Sequence, residues 1–309
     1  MHYITRADIS YIATGAAMLG SGGGGNPAPL VPIARYHCDA GHVTVIQPED
    51  LANDDLVEAI NKAHKNENSP VGKAVLGQLL ENIDIAKKDK TPICQDTGFT
   101  VIYLDVGQDV HFTGGDLNEA INKGVAQGYT EGFLRKSIVN NPITDPGNTG
   151  DNTPAIIHTH IVPGDKVKIT LLPKGGGSEN MSRLKMMKPA DGVEGIKKFV
   201  LETVSNAGGN PCPPTVIGVG VGGTFDHVAW LAKKAITRKF GERSQNPKLA
   251  KWETEWLDEI NKLGIGPAGL GGNTTSLELF IEEHPRHIAT FPVAVNIQCH
   301  AARVKTKLI

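Results

Sequence analysis

The sequence predicts a mixed-sheet domain of α/β or α+β class. Three observations point there. Stretches with strand-like alternation and stretches with helical periodicity interleave along the chain. Two alternating runs, residues 155–162 and 166–172, flank Pro163-Gly164-Asp165, which reads as an antiparallel hairpin. The chain has 309 residues, 39% of them hydrophobic, enough for a sizeable buried core.

Taken in order, Asp8 caps a short helix over YIATGAAML, followed by Gly22-Gly23-Gly24-Gly25 and a proline-rich stretch. HVTVI (42–46) alternates like a strand, and QPEDLANDD is a turn into a helix. Ser69-Pro70 pairs an N-cap with a proline at the first helical position. Leu76, Leu79, Leu80 and Ile83 then share one face of a helix reaching about Lys88. A polar turn over 91–98 leads into the strand FTVIYLDV. Residues 116–139 read as one long helix with Leu117, Ile121, Val125, Leu134 and Ile138 inward. A helix over 192–206 stops at Gly208-Gly209, and 215–221 is a short apolar strand followed by a helix to about Thr237. Asn246-Pro247 opens a helix with Leu249, Trp252, Trp256, Ile260 and Leu263 at core spacing, ended by Gly264. The strand 291–298 runs straight into Cys299.

Composition excludes several classes. Lys+Arg number 31 and Asp+Glu 33, so the net charge is −2 and no basic excess marks a nucleic-acid or polybasic membrane binder. No apolar run reaches the ~18–20 residues of a membrane helix. YIATGAAMLG is short, follows Asp8 and dissolves into SGGGG, so no signal peptide is expected. The four cysteines, Cys38, Cys94, Cys212 and Cys299, form no CxxC pair, and a disulfide framework is not expected in a chain of this length.

Three of those cysteines carry a pattern. Cys94 enters a turn with Gln95 and Asp96, Cys212 lies in Asn-Pro-Cys-Pro-Pro, and Cys299 ends a strand before His300. Thiols at element ends, among turn-formers, are placed where folds present ligands. Three soft sulfur donors with no local fourth suit an iron–sulfur cluster with one open iron, or zinc; unrelated buried thiols are the bland alternative. An open iron would act as a Lewis acid on a substrate hydroxyl, and that chemistry also needs an acid, a base and cationic clamps for carboxylates.

Other motifs have plainer readings. Gly218-Val-Gly-Val-Gly-Gly223 satisfies G-x-G-x-x-G, but Arg238 and Lys239 stand where a dinucleotide site needs an acid, so a glycine-rich structural bed is expected. His158 and His160 share one face of a strand and read as a sheet edge. Gly22–Gly25 read as a linker. Arg183, Lys185 and Lys188 are either a substrate funnel or a solvated loop. The tail after Arg303 reads as an exposed end or a subunit contact.

The strings PICQDTG, GFLRKSIV, NTGDNTPAIIH, PKGGGSENMS, NPCPPTVIGVGVGGTFD, GIGPAGLGGNTTSL and RHIATFPVAVNIQCHAAR occur in that order. Together they resemble the α-subunit of class I fumarate hydratases, an iron–sulfur hydro-lyase family that also includes tartrate dehydratase. The resemblance covers about 56–309. It implies Cys94, Cys212 and Cys299 as ligands of a 4Fe–4S cluster, Gln95 and Asp96 at the substrate, and His287 paired with Asp96 in protonating the departing hydroxyl. It further implies Arg135 as a carboxylate clamp and Gly177, within the loop Gly175–Gly177, as a backbone contact to substrate. In that family the carbon-proton base and further cationic clamps belong to a β-subunit, so the chain is expected to supply half an active site. QCHAAR and GFLRKSIV lean toward fumarate and malate as substrates, with L(+)-tartrate the alternative.

Residues 1–55 instead resemble the opening of S-methyl thiohydantoin desulfurase-like, hydantoinase-related proteins, on DISYIATGAAMLGSGGGGNP and HVTVIQPEDLANDDLV. Cys38, within that segment, matches no ligand position. The expected organisation is a truncated N-terminal segment (1–55) and an iron–sulfur hydro-lyase domain (56–309). Two other classes compete: a zinc-dependent hydrolase suggested by the N-terminal resemblance, and a non-catalytic fusion or assembly module. Reduced thiolates and the missing signal place the expected protein in the cytoplasm.

Overall fold

The computed structural model describes residues 3–4, 54–89 and 91–309. The helix after Asp8, Gly22–Gly25, the strand 42–46 and Cys38 lie outside the described residues. In chain order the elements are β1 (Tyr3–Ile4), α1 (Asp54–Asn66), α2 (Pro70–Asp89), β2 (Phe99–Gly107), β3 (His111–Phe112), α3 (Leu117–Glu131), β4 (Val139–Asn140) and β5 (Gly147–Asn148). Then follow β6 (Ile156–Val162), β7 (Val167–Lys174), α4 (Gly176–Glu179), β8 (Arg183–Met187), α5 (Gly192–Ala207), β9 (Thr215–Gly222), α6 (Phe225–Ala235), α7 (Pro247–Asn261), β10 (Ser276–His284), β11 (Phe291–Gln298) and β12 (Lys305–Leu308). The class is α/β with mixed sheets. The described elements fall into two compact units, the first built around Asn82–Gly175 and Arg303–Ile309, the second from Asp54–Glu81 and Gly176–Ala302.

In the first unit, one sheet has the order β12-β7-β2-β6. Its central strand β2 runs parallel to β6 and antiparallel to β7. The expected hairpin between β6 and β7 is therefore not formed: Pro163-Gly164-Asp165 reverses the chain, but β2 lies between the two strands. A turn signal fixes the reversal and not the neighbour. The wrap over the end of β2 is close, since a Cβ on Gly107 would stand 2.3 Å from the Gly164 carbonyl oxygen.

α3 packs Ile121, Val125 and Tyr129 against Ile102, Leu104 and Ile169. Asp116 caps it, accepting from the Glu119 amide at 2.8 Å. The helix ends at Glu131, short of the expected Val139. Gly132 caps it, Phe133 adopts φ +53°, and the Leu134 amide turns back to the Tyr129 carbonyl at 3.0 Å. The tail, read as an exposed end or a subunit contact, pairs as β12 along β7. β6 is an edge strand, as the histidine pattern implied: His158 stacks on Tyr103 with centroids 5.2 Å apart, and His160 lies 3.8 Å from Asp105.

In the second unit the sheet order is β10-β9-β11-β8. One face carries α5 and α7 on Ile217, Val219, Leu279 and Val293. The other carries α6, with Val228 and Ala232 on Ala294. The glycine motif is explained here: a Cβ on Gly218 would stand 2.1 Å from the Ala232 carbonyl oxygen, and one on Gly220 2.4 Å from that of Val228. These glycines let α6 lie directly on β9. Arg238, at the position where a nucleotide site needs an acid, bonds Glu253 at 2.7 Å. β8 and β10 were not anticipated. Arg183 and Lys185, read as a loop or funnel, sit on β8 with their cations 5.5 and 5.9 Å from the Phe199 ring centre.

Candidate active site

The first unit carries Cys94, Gln95, Asp96 and Arg135. Cys94 stands on the turn between α2 and β2, half-buried, with its thiol 3.5 Å from Gln95 Oε1. The turn is tied down at successive residues. The Asn82 side-chain amide donates to the Ile93 carbonyl at 2.8 Å. The Gly98 amide donates to Asp96 Oδ1 at 3.0 Å. The Tyr129 hydroxyl is shared between the carbonyls of Thr97 and Gly98, at 3.0 and 3.2 Å, and Asn152 Nδ2 donates to the same Gly98 carbonyl at 3.0 Å. Arg303 Nη2 donates to the Asp96 carbonyl at 3.0 Å. Gly98 itself, at φ +73°, has room for no side chain: a Cβ would sit 2.5 Å from the Lys174 carbonyl oxygen.

The same bonds set the Arg135 loop. Thr97 Oγ1 donates to the Arg135 carbonyl at 2.9 Å, and the Ser137 amide donates to Asn152 Oδ1 at 2.6 Å. The arginine's backbone is thus fixed to the cysteine turn while its side chain stays exposed, free to meet a ligand. Burial pushes the Tyr129 phenol above its ordinary 10.0. It stays a neutral hydrogen-bond donor under the turn.

The second unit carries Gly177, Cys212, His287 and Cys299. Cys212 adopts φ +54° and is exposed. Its carbonyl accepts from the His300 amide at 3.3 Å and from His300 Nδ1 at 3.0 Å. His300 follows Cys299 directly, so the unit brings the peptides of both cysteines together. Gly176 and Gly177 open α4 with ordinary φ and open space: a Cβ on Gly176 meets nothing within 4 Å, and one on Gly177 only the Asn210 carbonyl oxygen at 3.9 Å. Among the described residues, neither packing nor backbone conformation requires glycine there. Close approach of a ligand to the backbone would.

His287 is exposed on the loop between β10 and β11. Its Nδ1 accepts from the Ala289 amide at 3.2 Å, so the ring's own N–H lies on Nε2. Arg286 braces the loop, donating to the carbonyls of His287, Ile288 and Thr290 at 3.0, 3.0 and 2.8 Å. A histidine with one nitrogen fixed and the other presenting N–H outward is arranged to donate a hydrogen bond to a ligand.

The three described thiols form no disulfide. Two belong to the second unit and Cys94 to the first. Among the described residues no ready-made group of three or more His, Cys, Asp or Glu side chains is assembled for a metal ion. The donor set nonetheless suits an iron–sulfur group by its chemistry. It consists of soft sulfur ligands, accessible or half-accessible, and the Cys94 turn is held by buried hydrogen bonds. Asp96 and His287 likewise lie in different units.

A profile of fumarate hydratase (Fumerase) matches residues 43–307. The chain belongs to that family. As a member of it, this fumarate hydratase-family chain is an enzyme, a hydro-lyase. A second profile, the S-Me-THD-like N-terminal domain, matches residues 7–62 and overlaps the first over 43–62. A protein of Methanocaldococcus jannaschii, provisionally named L(+)-tartrate dehydratase subunit alpha, is 45% identical over 267 residues, covering 85% of this chain and 92% of its own. The L(+)-tartrate dehydratase subunit alpha of Escherichia coli K12 is 35% identical over 260 residues, covering 83% of this chain and 85% of its own. That of Shigella sonnei matches to the same extent.

Sequence reading missed the residues that hold the site rather than line it: Tyr129, Asn152, Arg303 and His300. Tyr129 falls on the Leu117–Ile121–Val125 stripe, and its hydroxyl on a core face was a usable signal.

Proposed function

We propose that this chain is the α-subunit of an iron–sulfur hydro-lyase that removes water from a hydroxylated four-carbon dicarboxylate. The observation that carries the reading is the Cys94–Gln95–Asp96 turn, tied to the Arg135 loop by hydrogen bonds. That arrangement delivers a thiol, a carboxylate and an exposed cation from one rigid patch. Cys94, Cys212 and Cys299 would hold a 4Fe–4S cluster. When bound, it supplies Lewis acidity toward the leaving hydroxyl.

The remaining roles fall to the chain's own side chains. Arg135 takes a substrate carboxylate with its planar fork. The Gly176–Gly177 backbone lies against the substrate where side chains would block it. Asp96 and His287 handle the proton of the departing hydroxyl as a pair, with His287 Nε2–H placed to hydrogen-bond the leaving oxygen. The base for the carbon-bound proton is assigned to a β-subunit. The relatives' names as "subunit alpha" support such a partner.

The relatives' names also favour L(+)-tartrate, whose dehydration gives the enol of oxaloacetate. Fumarate and malate are the second reading, favoured by GFLRKSIV and QCHAAR in this chain. Among the described residues no helix is long and apolar enough to cross a membrane. Thiols that form no disulfide suit the reducing cytoplasm proposed for the protein.

The test is anaerobic reconstitution with the β-partner and parallel assay of L(+)-tartrate for oxaloacetate and of fumarate for malate. Turnover of either supports the hydro-lyase reading, and the preferred one names the substrate. An iron- and sulfide-loaded enzyme inactive on both refutes it. Zinc without acid-labile sulfide would instead favour the hydrolase class.

A further inference from the structure

Arg303 closes the QCHAAR string, and no expectation assigned it a role at the site. It is 4% exposed, which is unusual for arginine. Its Nη2 bonds the Asp96 carbonyl, while Nε and Nη1 are buried and make no hydrogen bond among the described residues. Burying a guanidinium with donors unspent is unfavourable, so a fold that only needed to tether a carbonyl would do better with a neutral donor. The positive charge itself is what such a site retains.

The surroundings indicate what the charge serves. Asp96 and Arg303 both act electrostatically on the Tyr129 phenol, in opposite senses, so the three groups share one buried neighbourhood. That neighbourhood supports the turn of Cys94, two residues before Asp96. Arg303 also lies four residues after Cys299 in the chain. The ligands expected at this turn are a metal-bound thiolate and a dicarboxylate, both negative.

We propose that Arg303 is a positioning residue: its guanidinium fixes the Cys94–Asp96 turn through the Asp96 carbonyl and holds a buried positive charge beside the anionic ligands that the turn receives. The substrate part of this proposal rests on the hydro-lyase reading. The positioning part does not.

Arg303→Met removes charge and hydrogen bond at similar length, and Arg303→Lys keeps the charge and one donor. Hydrogen exchange over residues 91–98 of the full chain reads the turn directly. In Arg303→Met it quickens at least tenfold while exchange in β9 and β11 is unchanged; in Arg303→Lys it quickens less than threefold. In the reconstituted α–β enzyme, Arg303→Met raises KM for the preferred dicarboxylate at least tenfold, more than it lowers kcat, and Arg303→Lys recovers most of that loss. Unchanged exchange over 91–98 in Arg303→Met overturns the proposal. So does a quickened turn with KM unaltered, or a lysine variant as impaired as the methionine one. If the wild-type enzyme turns over neither dicarboxylate, the hydro-lyase reading fails, and the exchange comparison still decides whether Arg303 positions the turn.

Discussion

One tyrosine hydroxyl spans two carbonyls of the turn that carries Cys94, and among the described residues it is the hydrogen-bond donor seen at the Thr97 carbonyl. Removing it by Tyr129→Phe leaves that buried carbonyl unsatisfied and is expected to cost about 1–3 kcal/mol in urea unfolding. The pH dependence has a definite sign. With the folded phenol raised above 10.0, the unfolded chain loses the proton first. The native contribution is therefore complete below about pH 10 and declines as pH rises beyond it. Tyr129→Phe should flatten that alkaline loss, measured as melting temperature against pH. Gly98→Ala meets both a positive φ and a Cβ contact at 2.5 Å to backbone, and is expected to destabilise by about 2 kcal/mol or more. Legibility divides sharply at this scale. Cys94, Gln95, Asp96 and Arg135 could be named from local strings. The bonds from Thr97, Tyr129 and Arg303 that place them join residues 31 to 207 positions apart, and no local pattern records those partners.

α6 shows how a motif can match a pattern whose function it does not serve. Its start was legible, and the glycines before it satisfied a nucleotide-binding pattern, yet their work is to seat the helix on β9. Gly220→Ala puts a methyl 2.4 Å from the Val228 carbonyl oxygen, with an expected loss of about 1–3 kcal/mol by thermal or urea unfolding. Asn246 caps α7, accepting from the Lys248 amide at 3.0 Å, so Asn246→Ala should cost about 1 kcal/mol in the same measurement. Most helices and the strands β2, β9 and β11 could be read from periodicity and caps, because those signals are local. The hairpin could not: pairing β6 and β7 through β2 depends on a strand some 50 residues earlier. β8 escaped because its cations lie along Phe199 and mask an edge strand as a polar loop. β10, SLELFIEEH, has nearly continuous burial rather than clean alternation, as a strand covered on both faces does.

For the whole molecule, the family assignment fixes hydro-lyase chemistry, while the boundary between 1–55 and 56–309 stands as a proposal. The two family profiles overlap across it. The two compact units each carry part of the proposed ligand set, Cys94 in one and Cys212 with Cys299 in the other. The account's central claim is that these three thiols serve one iron–sulfur cluster. Iron and acid-labile sulfide counted per chain after anaerobic reconstitution test it most directly. The account predicts about four of each in the wild type, a severe loss in Cys94→Ser, Cys212→Ser and Cys299→Ser alike, and no change in Cys38→Ser. Zinc without sulfide, or counts indifferent to any one of the three substitutions, would contradict it.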